Sequence, residues 1–113
     1  MPSGNRMNPG EALNAGQSLV NGIYRVTCQA DGNLVMSHSE GSSQVTDWSS
    51  GSSGAAAECV MQPDGNLVIY GSSMNVIWAS NTAVPGTYVG NYLLLGQNTL
   101  RIMGPTGSVR TLK

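Results

Sequence analysis

Gln62-Pro-Asp-Gly-Asn-Leu-Val-Ile-Tyr70 decides how this chain is read, because Gln29-Ala-Asp-Gly-Asn-Leu-Val-Met-Ser37 says nearly the same thing 33 residues earlier. A repeat of that length is one supersecondary unit used more than once. Asp-Gly between alternating apolar and polar residues is a strong short-range hairpin signal. Both loops read as three residues long, Ala30-Asp-Gly32 and Pro63-Asp-Gly65. Pro presets φ at the first turn position, Asp suits the second, and Gly takes the left-handed conformation without a steric penalty. Such a turn sets Gln62 opposite Asn66. Strand alternation then puts Asn66, Val68 and Tyr70 on one face and turns Met61, Leu67 and Ile69 toward a core. In the first copy the outer set is Gln29, Asn33 and Val35, with Ser37 in the place of Tyr, and the inner set is Cys28, Leu34 and Met36. Asp31 and Asp64 stand at the tips and lean over the outer face.

A face of this kind joins carboxylate and carbonyl acceptors, amide donors and a phenol to a small apolar patch on a rigid turn. It suits a neutral polyhydroxylated ligand such as a hexose. Asp and Asn engage one pair of hydroxyls, Gln another, and Val with Tyr the apolar C–H surface. The candidate site is therefore Gln62, Asp64, Asn66, Val68 and Tyr70, with Gln29, Asp31, Asn33 and Val35 as a second. Asp-Gly alone is most often only a turn former, but that does not account for Gln and Asn at matched flanking places in both copies. Neither a metal nor a cofactor is needed.

Working outward, residues 1–10 read as a flexible lead-in, followed by three units over about 11–48, 49–80 and 81–113. The first two units each carry a Trp after the repeated phrase, Trp48 and Trp78. These are core anchors rather than sugar-stacking platforms in a chain with few aromatics. Setting Asn98 against Asn66 makes Leu94–Ile102 the third phrase, with Leu94 for Gln, Gly96 for Asp, and Arg110 about where a third Trp belongs. The loop Ser49-Ser-Gly-Ser-Ser-Gly54 has the composition of a flexible surface connection between strands.

Composition agrees with an all-β protein. The 113 residues suffice for one domain, and 15 Gly, no Phe and no helical stripe describe a turn-rich β chain. With 10% charged residues and a net charge of −1 there is no basic stripe for nucleic acid or an anionic membrane surface. Apolar runs such as Tyr92–Leu95 are too short to insert in a bilayer. The start lacks an apolar signal core, so the expectation is a soluble protein, cytoplasmic or exported by another route. Cys28 and Cys59 permit one disulfide without requiring it. His38 lies in a Ser/Glu/Gly context that reads as a solvated loop, and no second His or Cys accompanies it at metal-ligand spacing. The two carboxylates of interest, Asp31 and Asp64, belong to different units, which argues against an acid/base pair across a glycosidic bond. The chain reads as a binder, not an enzyme.

Taken together, these residues resemble the monocot, or bulb-type, mannose-binding lectins, whose sugar-site pattern is Gln-x-Asp-x-Asn-x-Val-x-Tyr. Gln62 to Tyr70 matches all five letters and Gln29 to Ser37 matches four; Leu13, Gly16, Leu19 and Gly22 ahead of the first motif and the Trp-x-Ser segments after each copy agree as well. The resemblance covers about residues 11–103. It implies a type II β-prism of three four-stranded antiparallel sheets with pseudo-threefold symmetry, each sheet offering one place for mannose. Carried over, Gln62, Asp64, Asn66 and Tyr70 hydrogen-bond the sugar and Val68 touches it. Gln29, Asp31, Asn33 and Val35 make a weaker site because Ser37 lacks the phenol. The third sheet is not expected to bind sugar in the family manner. Plant members usually place the first Cys where this chain has Gly32 and the second further before the next Gln than Cys59. Cys28 and Cys59 share the inward parity, so a bridge between them stays open. Members often exchange the C-terminal strand, for which Ser108–Lys113 is a weak candidate, and a homodimer is the expected assembly. The function implied is metal-independent recognition of mannose or mannosylated glycans, plausibly in defence. The rival reading is a protein-interaction or structural module of the same fold without sugar binding.

Overall fold

The protein is described from a computed structural model covering residues 4–84, 86 and 89–113. Twelve strands and no helix occur among these residues: β1 (Arg6–Met7), β2 (Ala12–Asn14), β3 (Ser18–Asn21), β4 (Tyr24–Cys28), β5 (Leu34–Glu40), β6 (Ser43–Ser49), β7 (Ala56–Met61), β8 (Leu67–Gly71), β9 (Val76–Ala79), β10 (Tyr92–Leu95), β11 (Leu100–Gly104) and β12 (Gly107–Thr111). They form three four-stranded sheets, ordered β3-β4-β5-β6, β2-β7-β8-β9 and β1-β10-β11-β12, and all pairings are antiparallel. This is the β-prism architecture. We number the sheets first, second and third in the order of their central hairpins.

The inward residues follow the alternation of the repeated phrase. Leu34, Leu67 and Leu100 are spaced by 33 residues and are each 0% exposed, while Met36, Ile69 and Ile102 at the same spacing are at most 1% exposed. Burying one such side chain is worth about 1.5–3 kcal/mol. The three sheets thus close around a single core, to which Met7, Leu13 and Leu19 add one residue from each of the first three strands. Trp48 lies opposite Met36 and Trp78 opposite Ile69. The two indoles pack against the core and meet edge to face, with centroids 6.1 Å apart at 72°. Arg110 takes the corresponding place opposite Ile102, and its guanidinium donates to the Ser80 carbonyl.

Sheet boundaries and unit boundaries do not coincide. The segment before residue 22 crosses all three sheets, giving β1 to the third, β2 to the second and β3 to the first. Ala12–Asn14, counted with the first unit by sequence, therefore pairs with β7 of the second. Residues 1–3 of the expected lead-in lie outside the described residues, as do Pro85, Thr87 and Tyr88 of the third unit. Arg6 and Met7 of that lead-in pair with Leu94 and Leu93, and Met7 is fully buried. Ordered chain thus begins ahead of Glu11, because an apolar residue at position 7 completes the third sheet's share of the core.

The third hairpin corrects the sequence alignment. Leu95 pairs with Leu100, and Gly96 N–H donates to the Thr99 carbonyl at 2.9 Å, so the loop is the two residues Gln97-Asn98. Asn98 sits in that loop at φ +59°, a conformation Asn tolerates better than most residues. Counting from the shared inward leucines, Thr99 holds the place of Asn66, Arg101 that of Val68 and Met103 that of Tyr70. No polar letter of the motif survives in the third sheet. β12 closes this sheet by pairing with β11 of the same chain.

Candidate functional site

The two complete turns form as their residues demand. Gln62 N–H donates to the Asn66 carbonyl (2.9 Å) and Gly65 N–H to the Gln62 carbonyl (3.0 Å), with Gly65 at φ +96°. In the first copy the same bonds join Gln29, Asn33 and Gly32 at 3.0 and 3.1 Å, with Gly32 at φ +90°. Gln and Asn therefore face each other across each hairpin, as the three-residue loop requires.

Each aspartate folds back on its own turn. The Asn66 N–H donates to Asp64 Oδ1 at 3.1 Å and the Asn33 N–H to Asp31 Oδ1 at 3.0 Å. This orients the carboxylate beside the asparagine side chain. The asparagines are fixed in turn by residues that sequence reading did not single out. Ser80 Oγ donates to Asn66 Oδ1 (3.1 Å), accepts from Leu67 N–H (3.0 Å) and contacts Thr82 Oγ1 (2.7 Å), while Thr82 N–H also donates to Asn66 Oδ1 at 3.3 Å. Ser50 Oγ repeats this with Asn33 Oδ1, Leu34 N–H and Ser52 Oγ at 3.0, 3.0 and 2.6 Å, and Gly51 N–H gives Asn33 Oδ1 its second bond at 3.0 Å. With both lone pairs of Oδ1 engaged, each asparagine keeps its Nδ2 hydrogens free of protein partners among the described residues. The signal for these clamps was in the sequence, as Trp-x-Ser-x-Ser/Thr in 48–52 and 78–82. In the third sheet Leu112 makes the matching backbone bond to Leu100, so no hydroxyl is available for a clamp there.

The Gly/Ser loop is consequently not a free tether. Ser52 Oγ donates to the Gly32 carbonyl (2.8 Å) and Gly54 N–H to the Asp31 carbonyl (2.9 Å), holding the loop against the first turn. The second turn is wrapped likewise. Val84 N–H donates to the Asp64 carbonyl (2.7 Å), Val89 N–H to the Pro63 carbonyl (3.1 Å), and the buried Asn91 Nδ2 to the Gly65 carbonyl (3.2 Å).

The two faces differ at their far ends. Gln62 Nε2 donates to the Tyr70 phenol oxygen. Along the shared face Gln62 stands two residues from Val60 and Tyr70 two residues from Val68 on the opposite side, so this bond spans the Val60–Val68 pair. Val68, expected to offer the ligand an apolar contact, is only 2% exposed beneath it. In the first sheet Ser37 bonds Gln44 instead (3.4 Å), and Val35 stays half-buried. The Gln29 amide nitrogen, in the orientation that satisfies its neighbours, lies 3.1 and 3.2 Å from the Asp31 carboxylate oxygens. The structure thus brings together Gln62, Asp64, Asn66 and Tyr70 on one face and Gln29, Asp31, Asn33 and Val35 on another.

The remaining chemistry-bearing residues stand apart. His38 is on β5, not in a solvated loop: Nδ1 is 2.8 Å from Asp47, Nε2 is 3.3 Å from Glu40, and the ring packs beside Tyr24. The Asp47 hydrogen bond raises its pKa above the ordinary imidazole value. Cys28 and Cys59 are buried free thiols. Burial, reinforced by the Glu58 charge, pushes Cys28 up to about 11, and burial raises Cys59 further. Among the described residues no three of His, Cys, Asp and Glu converge as a metal ion would need.

No protein-family model and no curated protein matches the chain. Solved structures do. A monomeric monocot mannose-binding lectin from Gastrodia elata is 36% identical over 96% of both chains, with a TM-score of 0.79. The mannose-specific agglutinin of snowdrop, Galanthus nivalis, solved with methyl-α-D-mannoside, is 33% identical over 88% of this chain and 89% of its own, with a TM-score of 0.72. The Polygonatum cyrtonema lectin, solved with a monomannoside, is 32% identical over 89% and 90%, with a TM-score of 0.76. With this identity along nearly its whole length, the chain belongs to the monocot mannose-binding lectin family, proteins that bind carbohydrate rather than transform it.

Proposed function

We propose that the protein binds mannose, or glycans ending in mannose, on the outer face of its second sheet and more weakly on that of its first, without a metal. The observation that carries this reading is the clamped asparagine. Ser80 and Thr82 occupy Asn66 Oδ1 and leave its amide to donate, while the tied-back Asp64 keeps a carboxylate oxygen to accept. Two adjacent sugar hydroxyls are met by that pair. Because Gln62 donates to the Tyr70 oxygen, the phenol proton and the Gln62 carbonyl are left for further hydroxyls. A hexose that displaces the Gln62–Tyr70 bond uncovers Val68 as well. On the first sheet Ser37 withholds the phenol, which lowers affinity there. The third sheet holds neither the letters nor the clamp.

A shallow site of this kind gives about millimolar affinity, near −4 kcal/mol. Two sites per chain, doubled in a homodimer, would give the avidity that recognition of foreign glycans in defence requires. The test is retention on mannose-agarose with elution by free mannose, comparing parent, Asn66→Ala and Tyr70→Phe. We expect retention of the parent, and loss or marked weakening of retention in both variants while circular dichroism stays native. Flow-through of the parent, with no chemical-shift change at high mannose, refutes the reading. Undiminished binding by folded Asn66→Ala refutes the assignment of the main site.

A further inference from the structure

The third sheet has lost the mannose motif, but its outer face is not featureless. Arg101 stands where the other sheets have Val35 and Val68, and it is exposed. Across β10 from it, with only Leu94 between, lies Arg6, whose guanidinium carbon is 3.7 Å from the Tyr92 ring centroid. Two strand spacings put the two arginine backbones about 10 Å apart on one face. Lys113 follows β12 at the corner of the same sheet.

The charges of the whole chain are sorted in the same way. Arg6, Arg101 and Arg110, three of the five Lys and Arg residues, lie on strands of the third sheet and Lys113 follows the last of them, whereas none of the six carboxylates is on that sheet. Arg110 turns toward Ser80, leaving Arg6 and Arg101, exposed beside the inward Met7, Leu100 and Ile102, for the outer face. Among the described residues no arginine or lysine is ion-paired with a carboxylate. A guanidinium fork presents paired donors to an oxyanion and makes bonds roughly twice as strong as neutral ones.

We propose that the outer face of the third sheet is a binding site for a short acidic oligosaccharide, its carboxylate or sulfate groups held by Arg6 and Arg101. The partner is an acidic glycan rather than nucleic acid for two reasons on this face. All the carboxylates stand on the neighbouring sheets and the segments joining them, so a long polyanion running past the sheet's edge is repelled, whereas a ligand no wider than four strands, about 15–20 Å, is not. Arg6 already covers Tyr92, which denies a nucleobase its stacking platform. The proposal stands apart from the mannose reading, since it uses none of the residues assigned there.

The experiment is an amide chemical-shift titration of the whole protein with a heparin-derived tetrasaccharide (sulfated), a hyaluronan tetrasaccharide (carboxylate only), neutral mannotetraose and a single-stranded DNA trimer at matched ionic strength. We expect shifts confined to residues 92–103 and their neighbours with at least one acidic sugar and none there with mannotetraose. Arg101→Val, which installs the residue found in the other two sheets, is expected to weaken acidic-sugar binding about tenfold, the equivalent of one charge-assisted bond. Absence of shifts with both acidic sugars, an unchanged affinity in Arg101→Val, or equal binding of the DNA trimer would each overturn the proposal. Mannose-induced shifts at residues 62–70, followed in the same samples, report separately on the mannose site.

Discussion

At the residue scale, the most consequential side chains work in pairs that are distant in sequence. Asn66 acts as a donor because Ser80 and Thr82 hold its oxygen, and Asn33 depends in the same way on Ser50 and Gly51. The motif letters were legible in the sequence; the clamps were not singled out, because a serine fourteen or seventeen residues away is an ordinary loop residue until a hairpin and its returning strand bring it over the turn. His38 shows the same blindness. A Ser/Glu/Gly context says loop, but the hydrogen bond to Asp47 exists only because β5 and β6 pair. Its folded pKa is raised above the ordinary value of about 6.5, so its stabilising contribution is complete below that value and is lost as pH rises through the raised one. The melting temperature of the parent relative to His38→Gln, measured from about pH 5 to about pH 8, should show an advantage that is largest at the acid end and shrinks with alkali. An advantage that grows with pH would contradict this ion pair.

At the element scale, the unit of construction is the hairpin with its tight turn of two or three residues. Gly32 needs its glycine twice over, since φ is +90° and a β-carbon there would lie 2.5 Å from the Gly54 backbone nitrogen and oxygen. Gly32→Ala should cost at least about 1–3 kcal/mol, from backbone strain alone, and should also loosen the segment holding Ser50 and Ser52. Urea unfolding checks the first effect and weakened mannose binding on the first sheet the second; a neutral substitution would mean the loop does not press on the turn. The third hairpin marks where sequence reading slipped. Matching Asn98 to Asn66 was natural by letter, but the buried Leu95 and Leu100 set the register and leave only two residues to turn. Inward apolar residues fix a strand's register more firmly than any single polar letter, because a slip of one residue would expose the whole inner set.

At the scale of the molecule, the three sheets share one core and are tied by the N-terminal segment, which lends a strand to each. Met7 on the two-residue β1 is fully buried. Met7→Ala should therefore destabilise the whole domain by about 2–5 kcal/mol in a single transition seen alike by Trp fluorescence and circular dichroism. Separate transitions would show that the third sheet folds apart from the Trp48–Trp78 contact. The sequence by itself determined the all-β class, the 33-residue period, the two turns and the inward and outward faces, which follow from local alternation and turn chemistry, and the family resemblance, which rests on the motif letters of 29–37 and 62–70. Only the tertiary structure decided that β1 and β2 leave their apparent units, that Val68 lies under the Gln62–Tyr70 bond, that distant serines hold the asparagines, and that the cations gather on the sheet that lost the motif. Each of these depends on which strands become neighbours, and packing around a common core settles that.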